Sequence, residues 1–185
     1  MHVSTHRGFT LIELLIALAI GGLLLIMAAP LYTVWLADNQ IANGAQLVAD
    51  GLKYAQGEAI KRNTQVQLVL DKTPATGGWT VQLECDGTGL RNGYFAEGAD
   101  KVVFAPAPAA STTVTFTALG QIATLKCDGT ALPVPFDTVD VTSAVPGTRT
   151  LRVLVGGTRT GIKVCDPAMT LVNASDPKAC PPLNG

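Results

Sequence analysis

The chain has 185 residues, enough for one modest domain with an appendage, and is 48% hydrophobic against 15% charged. That balance excludes a disordered polyelectrolyte, and a net charge of −1 gives no bulk attraction to nucleic acid. Both histidines, His2 and His6, precede the first long apolar run, so a chain trimmed there has none, which excludes His-based triads, His acid–base catalysis and the usual His-containing zinc sites.

Residues 1–8 form a short, mildly basic start ending in Arg7-Gly8. An apolar stretch follows in which the only charge is Glu13; the next is Asp38, leaving 24 uncharged residues between them. About 20 predominantly apolar residues suffice for a helix to cross the hydrocarbon core. The positive-inside rule keeps the Arg7 end in the cytoplasm and sends the remainder outward. An ordinary secretory signal cut near Ala28 or Ala29 is the simpler alternative. Pro30 just after that cut, and a carboxylate inside the apolar region costing several kcal/mol, both count against it.

The run Arg7-Gly8-Phe9-Thr10-Leu11-Ile12-Glu13 resembles the processing motif of type IV prepilins and type II secretion pseudopilins. The resemblance implies cleavage after Gly8 by a prepilin peptidase, methylation of the new amino terminus on Phe9, and a filament-assembly role for Glu13. In that role the Glu13 carboxylate pairs with the terminal ammonium of a neighbouring subunit, and each charge offsets the other's desolvation.

Pro30 interrupts the pattern of one continuous helix, and a kink is expected there. Beyond it Ile41, Ala45, Val48, Leu52, Ala55 and Ala59 recur at steps of four and three, the stripe of an amphipathic helix. Lys61 and Arg62 suit the negative end of the helix dipole, and Asn63 is a fitting left-handed terminator. This segment, residues 52–63, resembles the helix end of the GspH/FimT branch, which minor pilins and pseudopilins populate.

From Thr64 the period changes to two. Val66, Leu68 and Leu70 form one strand face, and Trp79, Val81, Leu83 and Cys85 another. Further strands are expected at 102–104, 114–117, 121–127, 138–141 and 151–155, with the Pro/Ala run 105–110 as a connector. The expected fold is α+β and pilin-like: a long N-terminal helix, transmembrane and then amphipathic, packed on an antiparallel β-sandwich head.

Cys85-Asp-Gly-Thr88 and Cys127-Asp-Gly-Thr130 echo one another, each closing a strand pattern with an Asp-Gly turn. Four cysteines allow three pairings, among which sequence alone does not choose. The echo favours Cys85 with Cys127, and Cys165 with Cys180 across a C-terminal loop. Disulfides of this kind belong to an oxidising compartment. No Cys-x-x-Cys spacing offers a metal site, and no phosphate-loop, Rossmann or calcium-loop spacing is present. Asp137 and Asp140 are three apart on a strand pattern and point to opposite faces, so they form no carboxylate dyad. No catalytic residues and no cofactor are expected.

The one charge asymmetry lies in residues 148–185, where Arg149, Arg152, Arg159, Lys163 and Lys178 face only Asp166 and Asp176. Resemblance to FimT-like minor pilins makes these five cations candidate DNA-binding residues, duplex phosphate being the expected contact because the tail has no aromatics for stacking. The family's Gly-Arg-x-Arg pattern is not reproduced: Lys163 holds one arginine place and Gly161 the other.

The expected organisation is a leader over 1–8, a transmembrane segment over 9–37, an amphipathic helix over 38–63, a head over 64–165 and a disulfide-closed tail over 166–185. The resemblance implies a single-pass subunit of the bacterial inner membrane with a periplasmic head. Its partners would be prepilin peptidase, other pilin or pseudopilin subunits and, for a pilus-tip component, double-stranded DNA. The alternative is a type II secretion pseudopilus subunit that exports protein and binds no DNA.

Overall fold

The computed structural model describes residues 9–73, 76–157, 161–169 and 178–181. One helix, α1 (Leu11–Arg62), carries both the apolar stretch and the amphipathic stripe without interruption at Pro30. Thr10 caps its start: the hydroxyl accepts the Glu13 backbone N–H at 3.3 Å, the first half of a Thr-x-x-Glu capping arrangement. Asn63 ends it in the left-handed conformation (φ 52°), its N–H shared between the Ala59 and Ile60 carbonyls. The terminator expected from sequence is thus in place, with Lys61 and Arg62 in the last turn.

The two halves of α1 meet different surroundings. Residues 11–36 touch almost nothing, whereas Ile41, Ala45, Val48, Leu52, Ala55 and Ala59 are all fully buried. Small residues along this stripe let sheets approach the helix from two sides.

Those sheets are separate and four-stranded. The first, in order β3-β2-β1-β5, contains β1 (Val66–Asp71), β2 (Gly78–Leu83), β3 (Gly89–Tyr94) and β5 (Thr113–Phe116). The second, β4-β6-β7-β8, contains β4 (Val102–Ala107), β6 (Thr138–Ser143), β7 (Leu151–Gly157) and β8 (Gly161–Cys165). Every pairing is antiparallel. Val66, Leu68, Leu70, Trp79 and Val81 from one sheet and Phe104, Val139, Val141 and Val153 from the other close on the helix stripe as one core. This is the α+β architecture expected from the sequence.

Glycine sets the closest approach between helix and sheet. A Cβ on Gly51 of α1 would stand 2.7 Å from the Trp79 ring, and one on Gly93 of β3 would stand 2.4 Å from it. The indole therefore fits only because both flanking positions lack side chains.

Three expectations are corrected. The Pro/Ala run is not simply a connector: β4 continues through Ala107, with Pro106 paired opposite Val139. It can do so because β4 is a sheet edge, where a missing N–H is tolerated. Residues 121–127 form no strand, making only the bridges Phe116↔Ile122 and Leu125↔Ala131. Its start folds back on the end of β5, where the Ala123 N–H donates to the Thr115 carbonyl at 2.8 Å, and the chain then leaves the first sheet before a strand can extend. Conversely β3 is a strand where none was expected, because Gly89, Arg91, Asn92 and Gly93 hide any apolar alternation.

Candidate assembly and contact site

At the N-terminal end, Phe9 is 84% exposed and Glu13 lies in the first turn of a helix long and apolar enough to cross a membrane. Arg7 and Gly8 lie outside the described residues. The helix dipole favours a carboxylate in this first turn. Glu13 is also the only charge on an otherwise apolar half-helix, so an apolar surrounding has to supply it with a partner or leave it near water.

The five candidate cations do not form one patch. In the second sheet Arg152 lies opposite Asp140, and Leu154 opposite Lys163, on the face turned away from α1. Arg152 donates to Asp140 through Nε at 2.6 Å and Nη2 at 2.7 Å. That hydrogen bond raises the arginine's pKa further still, burial working against it. Lys163 Nζ donates to the Ala179 carbonyl at 3.1 Å and so holds the tail. Arg149 and Lys178 are exposed and line one open depression together with Leu151, Val164, Cys165, Asp166 and Met169. Arg159 lies outside the described residues. The sequence expectation missed the Arg152–Asp140 pair, although opposite charges twelve residues apart on adjoining strand patterns were the available signal.

The cysteines form the disulfides Cys85–Cys127 and Cys165–Cys180, with Cα separations of 5.3 and 5.0 Å. The first joins the two echoing turns. Asp86 and Asp128 each accept the backbone N–H two residues on, from Thr88 at 2.9 Å and Thr130 at 2.8 Å. The Thr88 amide is the main cause of the lowered Asp86 pKa, and the Thr130 hydroxyl that of Asp128. Glu84 accepts the Cys127 N–H at 2.9 Å and tightens the same junction. Glu84, Cys85 and Cys127 present ligand atoms within 4.8 Å of one another, but the sulfurs are consumed by their mutual bond and offer no thiolate. The second disulfide, with a parallel bridge between Asp166 and Ala179, fixes the tail to the end of β8.

Comparison with known proteins bears on this arrangement. The family model described as type II transport protein GspH matches residues 44–158, well over half of the chain. The chain belongs to the GspH family. The matched span runs from Gly44 of α1 through β7, taking in most of the buried helix stripe, the first sheet and all of the second but β8, so the family likeness lies in the packed head. A second model, the prokaryotic N-terminal methylation motif, matches residues 4–29. The chain is similar to the type IV major fimbrial protein FimA of Dichelobacter nodosus, 47% identical over 58 residues, or 31% of this chain and 36% of that protein. Against FimA of strain VCS1703A it is 50% identical over 50 residues, 27% of this chain and 30% of that protein. The chain thus spans about a third of the length of the curated relatives it matches. Among solved structures it is similar to the type IV minor pilin FimU of Pseudomonas aeruginosa, with a TM-score of 0.44 and 19% identity over 63% of this chain and 83% of that one. The chain is thus a GspH-family protein that carries the prokaryotic N-terminal methylation motif ahead of its packed head.

Proposed function

We propose that the protein is a prepilin-processed filament subunit that waits in the bacterial inner membrane with its head in the periplasm. Prepilin peptidase cleaves after Gly8 and Phe9 becomes the methylated terminus. Glu13 then pairs with the terminal ammonium of an adjoining subunit as residues 9–37 are drawn into the filament core. The observation that carries this reading is the division of α1. One half is apolar all round, with Glu13 as its single charge, and the other is sealed into a disulfide-closed head. Such a molecule needs neighbours for the first half and none for the second.

The test is recovery of the tagged chain with sheared filaments, from cells making either a type IV pilus or a type II secretion pseudopilus. The wild type is expected in the sheared fraction. Glu13→Leu should stay in the membrane fraction, and equal recovery of the two would defeat the assembly role assigned to Glu13.

A second reading, DNA capture by a subunit at the pilus tip, draws support from one observation: Arg149 and Lys178 line the same depression. It has to do without Arg152, committed to Asp140, and Lys163, committed to the tail carbonyl.

A further inference from the structure

α1 fixes the height above the membrane of everything attached to it. Tyr32 and Trp35 are 61% and 60% exposed, with ring centroids 5.9 Å apart. Amphipathic rings like these settle at the headgroup level of a bilayer. Asp38 is three residues farther along, about 4.5 Å higher at the helical rise. Its carboxylate accepts the Arg149 backbone N–H at 3.0 Å, so the turn between β6 and β7 is tied to the helix just above the aromatic pair. The opposite end of the head is marked by Gln56, which donates to the Gly120 carbonyl at 2.8 Å, about 27 Å beyond Asp38 along α1.

The depression beside Arg149 therefore lies at the membrane-proximal end. Its composition suits what is found there. Arg149 and Lys178 supply positive charge, while Leu151, Val164 and the 42% exposed Met169 supply an apolar floor. Asp166 and Asp38 balance that charge overall, Asp166 accepting the Ala168 N–H at 2.9 Å and Asp38 that of Arg149, but among the described residues no ion pair holds the Arg149 guanidinium, which is left to meet a ligand. A guanidinium grips a phosphate with two parallel hydrogen bonds, and the glycerol and upper acyl carbons attached to that phosphate match the apolar floor. While the subunit stands in the membrane, a duplex approaching the same depression would have to lie against the bilayer surface, whose anionic lipids repel it.

We infer that this depression seats the headgroup of an anionic phospholipid while the subunit stands in the membrane, an inference resting on the reading of α1 as a membrane helix. Seated lipid holds the head upright over its own anchor and is given up when the subunit is extracted into the filament.

The test is amide hydrogen exchange on the full chain in nanodiscs of phosphatidylcholine alone or with one part in three of phosphatidylglycerol. Amides at 149–151 and 164–168 should exchange roughly five-fold more slowly in the anionic discs, as expected for one cation, Arg149, at a charged surface. The double variant Arg149→Gln/Lys178→Gln should lose that difference, with residues 84–88 and 125–132 unchanged as a check on the fold. Equal exchange of the wild type in both discs overturns the inference, as does slowing that persists in the double variant. Slowing produced by duplex DNA in phosphatidylcholine discs, without a phosphatidylglycerol effect, also overturns it and makes the depression a nucleic-acid contact. The membrane helix has a readout of its own: residues 14–30 should be protected in both discs, and free exchange there overturns both readings.

Discussion

Arg152 holds both carboxylate oxygens of Asp140 across neighbouring strands, at 2.6 and 2.7 Å. Neither side chain is more than a third exposed, so the pair is partly screened and belongs at the upper end of surface ion pairs, about 1 kcal/mol. Arg152→Gln should lower the unfolding free energy by about that much. It should leave any dependence of duplex binding on salt unchanged, because a committed guanidinium releases no counterions from DNA. Denaturant unfolding and a salt titration of the full chain in detergent check the two halves. A reduced salt slope for this variant would show that the pair opens to reach phosphate.

Gly51→Ala sets two effects against each other. Alanine is the better helix former by about 1 kcal/mol, yet its Cβ would meet the Trp79 ring at 2.7 Å. A ring held on its far side by Gly93 has nowhere to retreat, and overpacking of this kind costs about 1–3 kcal/mol. Net destabilisation of roughly 1 kcal/mol is expected. Gly57→Ala is the control: nothing lies within 4 Å of that position, so it should stabilise. Thermal unfolding of both variants decides.

Glu58 is buried near the end of α1, bonded to Arg62 at 2.6 Å and Lys61 at 3.2 Å. The Arg62 hydrogen bond, then that of Lys61, lowers its pKa below the ordinary 4.5. A carboxylate with a depressed folded pKa contributes stability above its unfolded value and loses it as pH falls through the folded one. Stability should therefore drop below pH 4.5, and Glu58→Gln should flatten that part of the profile while lowering the plateau at neutral pH. Unfolding free energies measured from pH 7 down to pH 3 test this; an unchanged acid slope would contradict it.

The disulfides span 42 and 15 residues. By loop-closure entropy the longer loop gains about 0.9 kcal/mol more from being closed. Cys85→Ser/Cys127→Ser is expected to cost more than Cys165→Ser/Cys180→Ser by about that margin, within the usual 2–4 kcal/mol. Equilibrium unfolding of the two double variants provides the comparison.

Much of this molecule could be read from the chain before its fold was seen. The stripe from Ile41 to Ala59 and the terminator Asn63 follow from local rules of period and cap, and the matched Asp-Gly turns brought Cys85 and Cys127 to one junction. Other features depend on what the chain meets in space. β3 is held by its pairing with β2 and by Trp79 over Gly93, neither of which leaves a mark in Gly-Leu-Arg-Asn-Gly-Tyr. Pro106 belongs to a strand only because β4 is an edge. The charge of the tail was legible, but its distribution was not. That Arg152 and Lys163 are engaged while Arg149 sits beside the helix base is decided by the register of β6, β7 and β8 and by the reach of Asp38.

The central claim is that this chain is handled as a prepilin before it enters a filament. The most direct measurement is the intact mass of the full chain after co-expression with an active prepilin peptidase. Loss of residues 1–8 and gain of one methyl group on Phe9 is the predicted result, abolished by Gly8→Leu. An unprocessed chain retaining Met1 beside an active peptidase would contradict the account and leave a plain membrane-anchored β domain in its place.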